Sequence, residues 1–327
     1  MGQILLVRLG GLGDLLVAFP SIALLHDGVL PPPALSLVCR SEYGTLLKEA
    51  GVVDRILDVG SPAVSGLFGG GDESPAGEVR AGQAVAAFDL IVGWLQSETA
   101  RADILQYLRS LGGPRVHLIG VEPSTVPLSR FFFDKTINFL ASEGVRSFPS
   151  FAECATLRVP SSWREEGRKL RGVDGRESGG RLSEKFAVVH PGSGSRSKRW
   201  PLADFLDIIN RLAASGVSGM IVSGEAEEDL VPAIKSLVLP GGWRWIHRPP
   251  LRPLAGILAS AALYLGNDSG VTHLAAVCGA SGAAIFRREF EFDWAPCGNI
   301  RILSGNDIKN IKPSSVWDRC CRILASS

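Results

Sequence analysis

The residues of this chain best suited to chemistry fall in four short stretches, each following an apolar run. In Gly266-Asn267-Asp268-Ser269-Gly270-Val271-Thr272-His273, an acid and a serine stand where a strand pattern gives way to a helix pattern. A helix start carries unpaired N–H groups and a partial positive charge, which suits a diphosphate. Asp268 and Ser269 are equally good as ordinary caps, and His273 reads as a capping or orienting residue. In His190-Pro191-Gly192-Ser193-Gly194-Ser195-Arg196-Ser197-Lys198-Arg199-Trp200-Pro201, a strand ends in a Gly/Ser loop carrying three cations. Such a loop can cradle phosphate oxygens, and Arg196, Lys198 and Arg199 can neutralise them. A solvated basic loop is the plain alternative; the clustering at a strand's carboxyl end favours phosphate.

The third stretch is Arg8-Leu9-Gly10-Gly11-Leu12-Gly13-Asp14. Its glycines let backbone approach a ligand closely, but their spacing is not G-x-G-x-x-G and there is no Walker A lysine. What remains is Asp14 at the head of the first helix, either as an N-cap or as a general base accepting a hydroxyl proton. The fourth is Ser223-Gly224-Glu225-Ala226-Glu227-Glu228-Asp229. Acids are favoured in any first helical turn, so at most one, Glu225 in our reading, grips ribose hydroxyls.

Composition narrows the classes. The chain has 327 residues, 46% of them hydrophobic, enough for two domains with sizeable cores, and its net charge of +1 implies no nucleic-acid partner. Six cysteines without metal-ligand spacing read as reduced cytoplasmic thiols. The five histidines are not spaced as ligands either, so no metal site is expected. No G-x-S-x-G serine elbow occurs, no signal peptide is convincing, and no apolar run spans a bilayer.

The elements that must position these residues alternate. Strands are expected at Ile4–Val7, Leu35–Cys39, Arg55–Val59, Phe88–Val92 and Val116–Ile119, with helices between them from Leu15, Tyr43 and Ala100 and after them from Phe132. The Gly/Ser/Pro-rich Ser61–Gly82 reads as a long loop. After a charged linker at 161–185 the alternation restarts, with strands at Phe186–His190, Gly219–Ser223, Ala262–Gly266 and Ala283–Phe286 and a last helix at Ser314–Leu324. Two βα series predict two doubly wound parallel-sheet domains, with ligands at the strands' carboxyl ends in a central cleft.

Taken together and in order, Val7–Asp14, His190–Ser193 with Lys198-Arg199-Trp200-Pro201, Asn267–Ala276 and Trp294-Ala295-Pro296 resemble the glycosyltransferase family 9 heptosyltransferases, which build the inner core of bacterial lipopolysaccharide. The resemblance implies a GT-B fold of two Rossmann-like domains. Residues 1–160 would take the acceptor, 186–312 the nucleotide-sugar, and 313–327 would pack back on the N-terminal domain. It implies an ADP-sugar co-substrate, a lipid-linked oligosaccharide acceptor, inversion at the anomeric carbon and no cofactor or metal. Carried over, Asp14 is the base and Lys198 offsets leaving-group charge. Ser193, Gly194, Ser195 and Arg196 form the phosphate loop; Asp268, Ser269, Gly270, Val271 and Thr272 serve the donor; Arg8, Gly11 and Gly13 lie on the acceptor side. Peripheral contact with the inner face of the cytoplasmic membrane is expected near Arg130 to Lys135.

One segment departs from the family: after Ala283–Phe286 the usual Gly-Pro-Thr is replaced by Arg287-Arg288-Glu289. Two arginines there would suit phosphate. Other readings are a nucleotide-sugar epimerase, which would turn over donor alone, and a non-catalytic relative of the same fold. A NAD dehydrogenase fits worst, because the glycine spacing and the ribose acid are wrong.

Overall fold

In the computed structural model, which describes residues 2–61, 64, 86–110, 114–172 and 185–326, the chain divides into two units, Met1–Ala155 and Thr156–Ser327. The first holds strands β1 (Gln3–Val7), β2 (Ala34–Cys39), β3 (Arg55–Asp58), β4 (Leu90–Trp94) and β5 (Arg115–Ile119), in the order β3-β2-β1-β4-β5. All neighbours are parallel; Ile4 pairs with Leu35 on one side and Leu90 on the other. The central strands are apolar along their length because helices cover both faces. The helix Leu12–Asp27 follows β1 and packs on the helix Leu128–Ser142.

The second unit holds β6 (Phe186–His190), β7 (Ser218–Ser223), β8 (Trp243–His247), β9 (Leu263–Asn267), β10 (Gly282–Arg287) and β11 (Ile300–Gly305), ordered β11-β10-β9-β6-β7-β8. Counted from β6, this is the order 3-2-1-4-5-6 of a dinucleotide fold, again all parallel. In each sheet the order reverses beside the unit's first strand, between β1 and β4 and between β6 and β9. Loops leaving those strand pairs are where ligands of such sheets bind.

Three details go beyond those expectations. The first 10 residues of the supposed linker form a helix, Ser161–Leu170, whose Trp163 is buried and whose Gly167 lies against the helix Leu251–Leu258. A Cβ on Gly167 would meet Ile257 N at 2.8 Å, and one on Gly256 would meet the Trp163 carbonyl oxygen at 1.9 Å, so two glycines permit the close approach. Charged residues on every other face hid this helix. The last helix, Pro313–Ala325, buries Val316 and Cys320 in the second unit's own core, against the helix Leu202–Ala214 and strands β9 and β10. Strands β8 and β11 were not foreseen. Both are edge strands with an exposed arginine among the apolar residues, Arg244 and Arg301. The remainder of the linker, 173–184, and the 62–82 loop apart from Val64 lie outside the described residues.

Candidate active site

At the reversal point of the second sheet, β6 and β9 end side by side, with His190 paired to Gly266. Asn267 then fastens the two loops together. Its amide donates to the Pro191 carbonyl at 2.8 Å and its oxygen accepts the Trp200 N–H at 3.1 Å. Ser193 Oγ donates to the Asp268 carbonyl at 2.7 Å, so this buried hydroxyl is spent on holding the loops in register. Ser269 is the N-cap of the helix Gly270–Val277 and accepts the Thr272 N–H. The Thr272 hydroxyl is occupied by Tyr264 and the Asn267 carbonyl, and His273 is buried. Gly270 and Val271 occupy the first two helical positions, whose N–H groups have no intrahelical acceptor.

The cations of the loop divide. Arg199 clamps Asp229 with two contacts of 2.8 and 2.9 Å, and Arg196 reaches the same carboxylate at 2.9 Å. Asp229 is thereby held below the ordinary carboxylate range, mainly by Arg199. Lys198 alone turns toward the helix start. Its ammonium lies 2.7 Å from Asp268 Oδ2, with side-chain exposures of 27% and 7%. Gly194 is open: a Cβ there would meet nothing within 4 Å. Ser195 is bound to Ser197 at 2.9 Å.

Among the acids after β7, the structure separates Glu225 from Glu227. The Glu225 carboxylate is 76% exposed and faces Arg248 at 3.4 Å. Glu227 is the inward one: it is buried, accepts the Gly224 N–H at 2.7 Å and lies so close under Gly192 that a Cβ there would strike its Cδ at 2.1 Å. Beside it, His190 is buried with Nδ1 2.9 Å from the Val222 carbonyl. A carbonyl only accepts, so Nδ1 carries the proton, and burial pushes the imidazole pKa down against the pull of Glu227.

The first unit builds a second site on the same plan, from the loops after β1 and β4. Arg8 is buried and donates to the Trp94 carbonyl at 2.8 Å and to the Asp14 carbonyl at 2.7 Å. Burial lowers its pKa to about 10, and Asp14 opposes the shift. Asp14 Oδ2 accepts the Gly11 N–H at 2.8 Å, while Oδ1 accepts from Gln96 at 2.9 Å and faces Arg8 at 3.3 Å. Asp14 is therefore a helix cap whose side chain is still 27% exposed, on a cavity of about 250 Å³ lined by Arg8, Gly10, Trp94 and Gln96. Gly10 is at φ 116°, and a Cβ there would meet Asp14 Oδ2 at 2.5 Å. Gly11 is the N-cap; Gly13 is the second residue of the helix, beside Asp14. A carboxylate so fixed can accept a proton from a hydroxyl entering the cavity.

Sequence reasoning missed Trp94 and Gln96, although Trp94 ends β4 and Gln96 follows it much as Arg8 follows β1. It also missed Glu227 and Phe290. Arg130 and Lys135, expected to face a membrane, are internally engaged. Arg130 pairs with Asp134 at 2.8 Å and lies over Phe133 and Phe151, and Lys135 pairs with Glu122 at 3.1 Å over Phe131. Arg287 faces Glu289 at 3.0 Å. Among the described residues, no three His, Cys, Asp or Glu side chains are grouped to hold a metal ion, and no helix is long and apolar enough to cross a membrane.

Comparison with known proteins places these features in context. A family model described as glycosyltransferase family 9 (heptosyltransferase) matches residues 151–317. Lipopolysaccharide heptosyltransferase 3 of Escherichia coli is 26% identical over 149 residues, which is 43% of this chain and 40% of that protein. Among solved structures, a glycosyl transferase family 9 protein from Veillonella parvula superposes with a TM-score of 0.75 at 16% identity, covering 100% of this chain and 98% of that one. The ADP-heptose LPS heptosyltransferase II of Escherichia coli gives 0.74 at 13% identity, covering 99% of each. At such identities the likeness speaks to the fold, which is GT-B.

Proposed function

The chain belongs to glycosyltransferase family 9 (heptosyltransferase), and on that premise we propose that it moves a heptose, or a related sugar, from an ADP-sugar to a lipid-linked inner-core acceptor of lipopolysaccharide. The observation that carries this reading is the placement of Lys198 beside Asp268 at the head of the helix Gly270–Val277, where the sheet order reverses. A departing nucleoside diphosphate needs positive charge that is already in place. The Lys198 ammonium and the Gly270 and Val271 N–H groups supply it without calling on a metal. The names of the relatives, which include an ADP-heptose enzyme, support ADP as the nucleotide.

The reaction is a single displacement. The acceptor hydroxyl oxygen attacks the anomeric carbon and the bond to the β-phosphate oxygen breaks. The hydroxyl proton passes to Asp14, and ADP leaves with its charge against Lys198. One attack from the face opposite the leaving group inverts the anomeric centre. Asp14 suits the base because Gly11, Arg8 and Gln96 fix its carboxylate while part of it stays exposed. Asp268 is proposed to orient the donor sugar. Glu227, buried under the phosphate loop, is better placed than the exposed Glu225 to meet a ribose. The acceptor's lipid anchor implies work at the inner face of the cytoplasmic membrane.

The test is turnover with ADP-heptose and a heptose-deficient core acceptor in the presence of EDTA. ADP release that requires acceptor, and that Asp14→Asn abolishes, supports transfer. Turnover of donor alone favours an epimerase, and no turnover with either contradicts the reading.

A further inference from the structure

Lys198 has a second neighbour besides Asp268. The ring of Phe290 lies under its ammonium, with Nζ 4.3 Å from the ring centroid. Phe290 sits in the turn after β10, in the segment where this sequence departs from the family pattern. That turn is tied down. Arg287 pairs with Glu289 at 3.0 Å, the Phe290 N–H donates to the Arg287 carbonyl at 2.9 Å, and the Arg288 N–H donates to the Gly305 carbonyl at 3.0 Å. Arg287 thus braces the turn, and the turn presents a ring to the lysine.

The two neighbours of Lys198 differ in what a diphosphate does to them. Asp268 holds the ammonium by opposite charge, and an arriving phosphate competes for that same charge. The ring holds it by its negative face, which a phosphate does not displace. A lysine stem has four rotatable bonds, and an ammonium that lost its only anchor would be free to leave the site. The other two cations of the loop, Arg196 and Arg199, are paired with Asp229, which leaves Lys198 as the one beside the helix start.

We propose that Phe290 is a positioning residue for Lys198, keeping its ammonium aimed at the donor diphosphate while the counter-anion changes from the Asp268 carboxylate to phosphate. The inference rests on the reading of Lys198 as the diphosphate cation. It assigns a role to the turn after β10 that charge on Arg287 and Arg288 does not explain.

The experiment titrates ADP, UDP and GDP into wild type, Phe290→Leu, Phe290→Tyr, Lys198→Ala and the double variant Phe290→Leu/Lys198→Ala, and follows melting of each. With the tightest nucleotide, Phe290→Leu is expected to weaken binding by about tenfold, the size of a partly desolvated cation–ring contact. Phe290→Tyr should stay within about twofold, since its ring carries a similar face. Phe290→Leu should cost nothing further once Lys198 is alanine, whereas a merely structural effect would persist there. If Lys198→Ala weakens binding but Phe290→Leu does not, or if the two losses simply add, the positioning role is overturned and the Lys198 reading stands. If Lys198→Ala itself is silent, or none of the three nucleotides binds, both fall.

Discussion

Lys198 and Asp268 form an ion pair, Nζ to Oδ2 at 2.7 Å, in which the carboxylate is nearly buried and about a quarter of the lysine side chain remains exposed. The pair joins the loop after β6 to the loop after β9. On the proposed reading, the cation that receives the diphosphate is thus already balanced by a carboxylate.

Removing that balance has an unusual expected outcome. Asp268→Asn keeps the shape but withdraws the competing negative charge, so free ADP should bind more tightly, by roughly tenfold for each 1.4 kcal/mol of relieved competition. Sugar transfer should fall in the same variant, because the carboxylate proposed to orient the sugar is gone. Calorimetry with ADP and a turnover assay check the two halves. Weaker ADP binding by Asp268→Asn would mean that the carboxylate does not compete.

Asp14 should behave in the opposite way. Asp14→Asn removes the proposed base but leaves the second unit untouched, so turnover is expected to fall by about 10² to 10⁴-fold while ADP affinity stays at the wild-type value. A loss of ADP affinity would show that Asp14 belongs to nucleotide binding instead.

Gly10→Ala tests the support of that carboxylate. The backbone there is at φ 116°, and a new Cβ would come within 2.5 Å of Asp14 Oδ2. Strain of this kind costs on the order of 1–3 kcal/mol, and the displaced carboxylate would also lose the Gly11 N–H. Denaturant titration should show the destabilisation, and turnover should drop even in protein that remains folded. Unchanged values for both would mean that the loop adapts freely.

Stability should rise with pH through the histidine range. His190 is buried neutral, and desolvation first of all lowers its pKa in the folded chain; burial does the same to His117. The unfolded chain therefore binds more protons below its ordinary value of about 6.5, so stability is present above that pH and is lost as pH falls toward the folded values. Each such group contributes at most about 1.4 kcal/mol per pH unit. His190→Asn keeps a donor for the Val222 carbonyl and should flatten the dependence between pH 5 and 7, leaving the share due to His117. An unaltered slope in urea melts across that range would rule His190 out.

Much of this architecture can be read in the chain, for a physical reason. Strands such as Phe186–His190 and Leu263–Asn267 are buried on both faces, so they appear as unbroken apolar runs, and the residues just past them mark the carboxyl ends of the sheet. Asp14, Lys198 and Asp268 were found that way. Edge strands β8 and β11 carry exposed arginines and gave no such run. The helix Ser161–Leu170 spends only Trp163 and Gly167 on burial, so it passed for a linker. Which acid after β7 turns inward was not legible either. Glu225 and Glu227 are equivalent by type, and only the close approach to Gly192 separates them. Phe290 reaches Lys198 across 92 positions of sequence, a relationship that no local spacing encodes.

The most direct test of the assignment is a calorimetric titration of ADP, UDP and GDP into wild type and Lys198→Ala, first in EDTA and then with magnesium. The expected result is binding of ADP in EDTA, weakened in the variant by the roughly 1.5–3 kcal/mol of a charge-assisted contact, about 10 to 150-fold, with magnesium adding little. Binding that appears only with magnesium, or that Lys198→Ala leaves unchanged, would contradict the assignment of Lys198 as the group that receives the diphosphate.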